Sequence, residues 1–221
     1  MENELSAIGF SFNRQIYFGE FEILLSKIAT CYNLMVQDKV QLPNDENKIR
    51  NVLVNQYINN SKIKRQLEIA YFIFPEVPET ESIGRTDIRI QKPDSFYNQN
   101  EAYYIIECKR MNSNARRGTS GLNAEYIRNG ICRFTSNYYA SHYGVNALIG
   151  FVVEPLDIHQ NADDINFLLQ NHFPEAKIKS GLSRLQFIPD FEYHYSSTHS
   201  LTGDRELRLY HLMFDFTGLV Q

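Results

Sequence analysis

Gly84-Arg85-Thr86-Asp87-Ile88-Arg89, and then Ile105-Ile106-Glu107-Cys108-Lys109-Arg110 with Glu107 twenty residues after Asp87, is the stretch of the 221-residue chain from which its organisation is read. Both runs are rich in β-branched and apolar residues, and a polar segment containing Pro93, Asp94, Asn98 and Asn100 separates them. Residues 84–90 and 102–109 are therefore predicted to pair as an antiparallel hairpin with a long loop. Residues two apart in a strand share a face and lie roughly 6.5 to 7 Å apart. Glu107 and Lys109 thus project together, while Ile106 and Cys108 go to the other side. Pairing of the two runs delivers Asp87 beside Glu107, and two acids held close repel unless a cation joins them. On that argument, removing one carboxylate is expected to hold or raise stability.

Helical periodicity lies on both sides of this hairpin. Upstream, Ile23, Leu24, Ile28, Cys31, Leu34 and Met35 recur at helical spacing within 21–35, and Ile49, Val52, Leu53 and Tyr57 do so after Pro43, with Asn44 as the expected N-cap. Tyr71 to Phe74 reads as a first strand. Downstream, Leu122, Tyr126, Ile127, Ile131, Phe134 and Tyr138 describe a helix, Ala147 to Val153 a short strand buried on both faces, and Asp157 to His172 a further helix. Leu185 to Tyr195 and Leu207 to Phe216 read as a C-terminal hairpin around Gly203-Asp204. The expected order is α, α, β, β, β, α, β, α, β, β, in one domain spanning 1–221.

Composition bounds the function. Hydrophobic residues make up 43% and charged residues 22%, which suits a packed core and excludes a disordered chain. The net charge of −4 excludes a globally basic coat, so a polyanionic partner must be met by a local patch. The longest nearly apolar stretch, Val145 to Val153, is about half the roughly 20 residues a membrane helix needs. No membrane partner is expected, and the acidic start Met1-Glu2-Asn3-Glu4 makes a cytoplasmic location the default expectation. Three cysteines without CxxC spacing argue against a disulfide framework or a structural zinc site. The six histidines show no HxH or HxxxH spacing, and there is no GxSxG turn or GxxxxGK[ST] loop.

What remains is an all-oxygen, carboxylate-based site, whose chemistry favours magnesium or manganese. Asp87 followed by Glu107-x-Lys109 at the end of an apolar strand resembles the PD-(D/E)xK nuclease superfamily, with Thr86 where that pattern has proline. The resemblance covers about 44–153, where the elements are similar to the superfamily's αβββαβ core. It implies an α/β, restriction-endonuclease-like fold, a mixed central sheet flanked by helices, with the N-terminal helix and a C-terminal extension of about 154–221 added. It further implies that Asp87 and Glu107 ligate Mg2+, with Mn2+ able to substitute, that the Cys108 main-chain carbonyl adds a ligand, and that Lys109 positions the attacking water and stabilises phosphate charge. A metal-dependent endonuclease follows, with DNA favoured over RNA. A surface salt-bridge cluster on adjacent strands is the competing reading of the same three residues. A catalytically inactive nucleic-acid-binding or partner-binding domain is the alternative function.

Further residues join this expectation. Glu46 is either the additional acid that many superfamily members carry on the preceding helix or a first-turn acid favoured by the helix dipole. Glu76, Glu79 and Glu81 are expected in a solvated loop. From Lys109 to Arg133 the chain carries Lys109, Arg110, Arg116, Arg117, Arg128 and Arg133 against Glu125, or 6 − 1 = +5. These arginines are candidate phosphate contacts, with a solvated helix face as the competing reading. Tyr126 is a secondary candidate, better explained by core packing. The C-terminal hairpin is left open between sheet core, a substrate groove and a homodimer contact.

Overall fold

The computed structural model describes residues 2–78, 85–93, 102–136, 138–139, 141–203 and 205–221, with side chains described from Gln15 onward. The expected loop residues 94–101, together with Glu79, Glu81 and Asp204, lie outside the described residues. The fold is mixed α/β, an open seven-stranded mixed sheet flanked by helices. The strands are β1 (Phe72–Pro78), β2 (Arg85–Gln91), β3 (Tyr104–Met111), β4 (Val145–Val152), β5 (Ile178–Arg184), β6 (His194–Ser200) and β7 (Glu206–Asp215), in the spatial order β1-β2-β3-β4-β7-β6-β5. The β3/β4 and β4/β7 pairs are parallel and the other four antiparallel. Every residue of β4 is buried, because helices cover both of its faces, and this explains its nearly unbroken apolar run.

One face of the sheet packs on α1 (Glu2–Gln37) and on α2, which begins as Glu46–Asn51 and continues as a π-helix over Val52–Ile58. A short α3 (Ser61–Gln66) leads into β1. In α1 the buried residues are Phe21, Leu24, Leu25, Ile28, Ala29, Cys31, Tyr32 and Met35, mostly at three- and four-residue spacing, so the expected core residue Ile23 instead falls on the outer side and is 61% exposed. The N-cap of α2 is Asp45 and not Asn44: Asp45 accepts from the Lys48 N–H, while the Asn44 amide oxygen is taken by Arg110.

The opposite face packs on α4 and α5 (Ile158–Asn171). α4 starts as Leu122–Tyr126, passes through a π-helical Ile127–Ile131 and finishes as Cys132–Thr135. It approaches the sheet closely at Gly130, where a Cβ would stand 2.6 Å from Leu148 Cδ2 and 3.8 Å from Lys109 Cγ. No helix among the described residues is long and apolar enough to cross a membrane.

The C-terminal part differs from the expected hairpin. Leu185 to Tyr193 is not a strand: it lies between β5 and β6, with Pro189 and the left-handed Asp190, and puts Ile188 and Phe191 into the core from an irregular segment. The strand before it, Ile178–Arg184, is polar and mostly exposed at the sheet edge, so it lacks the alternation that marks a half-buried strand. β6 and β7 lie inside the sheet, and Tyr195 and Phe214 are core residues.

A chain of buried polar groups crosses this region. The Ala176 carbonyl can only accept, so His199 Nδ1–H donates to it at 2.7 Å, and His199 Nε2 is left to accept from the Ser197 hydroxyl at 2.7 Å. Ser197 then accepts from His211 Nε2–H, and His211 Nδ1 accepts from the Tyr126 hydroxyl, both at 2.7 Å. One terminal carbonyl thus sets both tautomers, and both imidazoles are neutral. Burial pushes His199 down to about 4 and His211 well below its ordinary value, with His199 adding to the latter. A histidine lowered in this way stabilises the fold fully above the ordinary value of 6.5, and that contribution is lost as the pH falls toward 4. Denaturant titrations of the wild type and His199→Gln at several pH values check this: the wild type should lose on the order of 3 kcal/mol relative to the variant between pH 6.5 and 4. A constant difference would refute it.

Candidate functional site

The site forms where β2 and β3 leave their ladder. The β2/β3 pairing ends at Ile88 and Ile106, a register that sets Asp87 opposite Glu107, and the Cys108 N–H is donated to Asp87 Oδ2 at 2.8 Å. As the strand period requires, Ile106 and Cys108 join the core under α1, while Glu107 and Lys109 look the other way. Glu107 has no exposed surface and Lys109 only 8%.

Oxygen atoms from three elements converge on the Lys109 ammonium. Nζ lies 2.6 Å from the Cys108 carbonyl, 2.8 Å from Glu107 Oε1, 3.0 Å from Glu46 Oε1 and 3.7 Å from Asp87 Oδ2. Glu46 arrives from the first turn of α2, and its second oxygen accepts the Arg110 N–H at 3.0 Å. Residues predicted from strand and helix positions are therefore brought together around one cation. Among the described residues no group of three or more His, Cys, Asp or Glu side chains is arranged to hold a metal ion. The oxygen donors present are the Asp87 and Glu107 pair, the Cys108 carbonyl and the more peripheral Glu46.

Each buried carboxylate also has a second protein cation or hydroxyl. Arg133, at the end of α4, donates to Glu107 Oε1 at 2.6 Å, and the Tyr139 hydroxyl lies 2.6 Å from Oε2. Arg50, 1% exposed, donates to Asp87 Oδ1 at 2.6 Å and to Glu76 Oε1 at 2.5 Å. Burial, and then Asp87, push the Glu107 carboxyl up to about 7 against the pull of Lys109 and Arg133. Burial alone would lower Lys109, yet Glu107, Asp87 and Glu46 hold it above its ordinary range. Desolvation works against Arg50 too, and Asp87 and Glu76 outweigh it. The cations therefore stay charged, and Glu107 is the group whose ionisation depends on its neighbours.

Arg50, Glu76 and Tyr139 were not among the expected site residues. Arg50 had a signal: it follows Glu46 by four residues and so shares its helix face. Glu76 belongs to β1, not to a solvated loop, and holds a left-handed φ of 54° between the pairs Pro75/Ile88 and Val77/Thr86, opposite Asp87. Tyr139 follows α4 in irregular chain, and no periodicity points to it.

The basic segment is largely engaged within the protein. Arg116 and Arg117 both meet the buried Asp164, at 3.2 and 2.6 Å, and Arg117 also covers the Phe167 ring. Arg128 bonds the Thr119 carbonyl and lies 3.7 Å from Glu125, and Arg110 holds Asn44. Of the expected phosphate contacts, only Arg133 touches a carboxylate of the centre with its side chain. Tyr126 is buried on His211, away from the carboxylates.

The geometry reverses the expected effect of removing Asp87. Its charge is not an excess held against Glu107 but the partner of a buried guanidinium. Asp87→Asn should destabilise the protein by on the order of 2–3 kcal/mol, short of a fully broken buried pair because Glu76 stays on Arg50. Chemical denaturation checks this, and unchanged or raised stability would restore the repulsion argument.

Comparison with protein-family models, curated proteins and solved structures gave no match.

Proposed function

We propose that this chain is a metal-dependent nuclease of the restriction-endonuclease-like kind, hydrolysing phosphodiester bonds with DNA favoured over RNA. One observation carries the reading: Asp87, Glu107, the Cys108 carbonyl and Glu46 turn their oxygens toward a single cation, the Lys109 ammonium. The order α2-α3-β1-β2-β3-α4-β4, with the short α3 inserted before antiparallel β1/β2/β3 and with β3/β4 parallel, supports it. The preference for DNA rests on the resemblance alone.

The residues fit a hard divalent ion in kind, because the donors are all oxygen and already seat a positive group. Asp87, Glu107 and the Cys108 carbonyl would hold Mg2+ or Mn2+, with Glu46 as the additional acid. Such an ion polarises a phosphodiester and lowers the pKa of bound water. The chain's own groups do the positioning. Arg133 and Tyr139 fix the two oxygens of Glu107, and the Cys108 N–H fixes one oxygen of Asp87. Lys109 directs its protons at the Cys108 carbonyl, Glu107 and Glu46, so engaging water or phosphate requires giving up one of these acceptors.

A second reading has its own support. Every carboxylate of the centre has a protein cation, which is also how a catalytically inactive binding domain would stabilise buried acids. Single-turnover cleavage with saturating Mn2+, beside calorimetric Mn2+ titration and circular dichroism, separates the two. The nuclease reading expects metal-dependent cutting by the wild type, loss of turnover with retained metal binding in Lys109→Ala, and no rescue in Lys109→Arg. A guanidinium is a broad fork that stays protonated, whereas the ammonium is a compact charge. Near-wild-type cutting by Lys109→Arg would reduce Lys109 to a tether, and a wild type that neither binds Mn2+ nor cuts would favour the binding domain.

A further inference from the structure

The Arg50 guanidinium has five N–H donors and all five have partners. Nε and Nη2 donate to Asn51 Oδ1 at 3.2 and 3.1 Å, Nη1 to Asn47 Oδ1 at 3.0 Å and Asp87 Oδ1 at 2.6 Å, and Nη2 to Glu76 Oε1 at 2.5 Å. A fork so filled has one orientation, because rotating it breaks several hydrogen bonds at once. It is also sealed, at 1% exposure, and so has no free face for a substrate phosphate. Its effect on the site passes through Asp87. Arg50 takes Oδ1, the Cys108 N–H takes Oδ2 from the strand side, and the carboxylate plane is thereby fixed with Oδ2 toward Lys109 Nζ. Glu76 completes the arrangement from a left-handed backbone position in the middle of a strand, a conformation that costs free energy and persists only where the surroundings impose it.

We propose that Arg50 is a positioning residue that presents Asp87 Oδ2 to the cation seat, and that Glu76 tunes it by sharing its charge. The proposal rests on the nuclease reading. With Glu76 in place, Arg50 divides its attraction between two carboxylates and leaves Asp87 enough negative charge to meet a divalent ion. Neutralising Glu76 directs the guanidinium charge onto Asp87 and makes that oxygen a poorer ligand.

The test uses the full chain and Mn2+. Arg50→Lys offers three donors from one point in place of a five-donor fork, so Asp87 is no longer fixed. Its calorimetric Mn2+ midpoint should rise and its kcat fall by roughly 10- to 100-fold, with KM for a DNA duplex unchanged. Glu76→Gln keeps the acceptor oxygen on a half-exposed side chain and removes only the charge. It should raise the Mn2+ midpoint by at least about threefold without loss of fold. A purely structural Arg50 predicts lower melting temperatures but wild-type Mn2+ midpoints and kcat in the folded protein, and that result overturns the proposal. If Arg50→Lys does not fold, Glu76→Gln decides alone, and an unchanged midpoint there is equally fatal. A wild type that neither binds Mn2+ nor cuts overturns the nuclease reading, and the positioning role with it. Normal wild-type behaviour with indifferent variants overturns the positioning role alone.

Discussion

A carboxylate with no exposed surface, Glu107, sits in the fourth position of β3, directly after the apolar run Tyr104-Ile105-Ile106, and the arrangement around it follows from that constraint. An isolated ionised carboxylate in the interior is too costly to keep, so the group must be neutralised or paired and fully hydrogen-bonded. Here Lys109 comes from the same strand, Arg133 and Tyr139 from the end of α4 and the segment after it, and between them they occupy both oxygens. Lys109 is itself nearly buried and draws in Glu46 and Asp87. Asp87 in turn requires Arg50, and Arg50 requires Glu76 and two asparagines. Compensating one buried charge creates the need for the next, until the series reaches partly exposed side chains at Glu46 and Glu76.

This series also fixes how helices meet the sheet. Glu46 and Arg50 dock the start of α2 against β3 and β2, and Arg133 docks the end of α4 against β3. The close approach of α4 at Gly130, where no side chain intervenes between the helix and Leu148 or the Lys109 stem, places the helix within reach of the strand's charged end. None of the named centre residues comes from β5, β6 or β7. β6 and β7 supply instead Ser197, His199 and His211, which with Tyr126 of α4 form a buried polar chain of a different kind, neutral throughout and closed on a carbonyl.

Much of this was legible in the sequence, and what was not has physical causes. The β2/β3 hairpin, the shared face of Glu107 and Lys109 and the doubly buried β4 follow from period-two and apolar-run patterns, which tertiary packing here reinforces. Glu46 was visible as a helix-start acid, but its pairing with a lysine 63 residues away was not. Helical spacing counts Ile23 with the core side of α1, because a helix with apolar residues nearly all round does not announce which stripe the sheet will cover. Ile178–Arg184 carries no strand pattern because an exposed edge strand needs no apolar face, and Leu185 to Tyr193 reads as a strand because loop residues filling a core look the same in sequence. The basic run from Lys109 to Arg133 misled through its sum: +5 over a segment says nothing about Asp164, which lies elsewhere in the chain and engages two of those arginines.

The charge count at the centre links the two functional readings. Glu46, Glu76, Asp87 and Glu107 contribute four negative charges, and Arg50, Lys109 and Arg133 three positive ones, so the centre with its acids ionised stands at 3 − 4 = −1. Arg85, 3.8 Å from Glu76 and 63% exposed, is solvated and adds little to that balance. A divalent cation would carry the centre to +1, and a single phosphodiester would return it to zero. Each would then be held better with the other present, because each offsets a charge that is poorly screened in a buried site. On the nuclease reading that surplus is what a metal and a phosphate would offset together; on the binding-domain reading it is one charge left to solvent at the partly exposed Glu46 and Glu76.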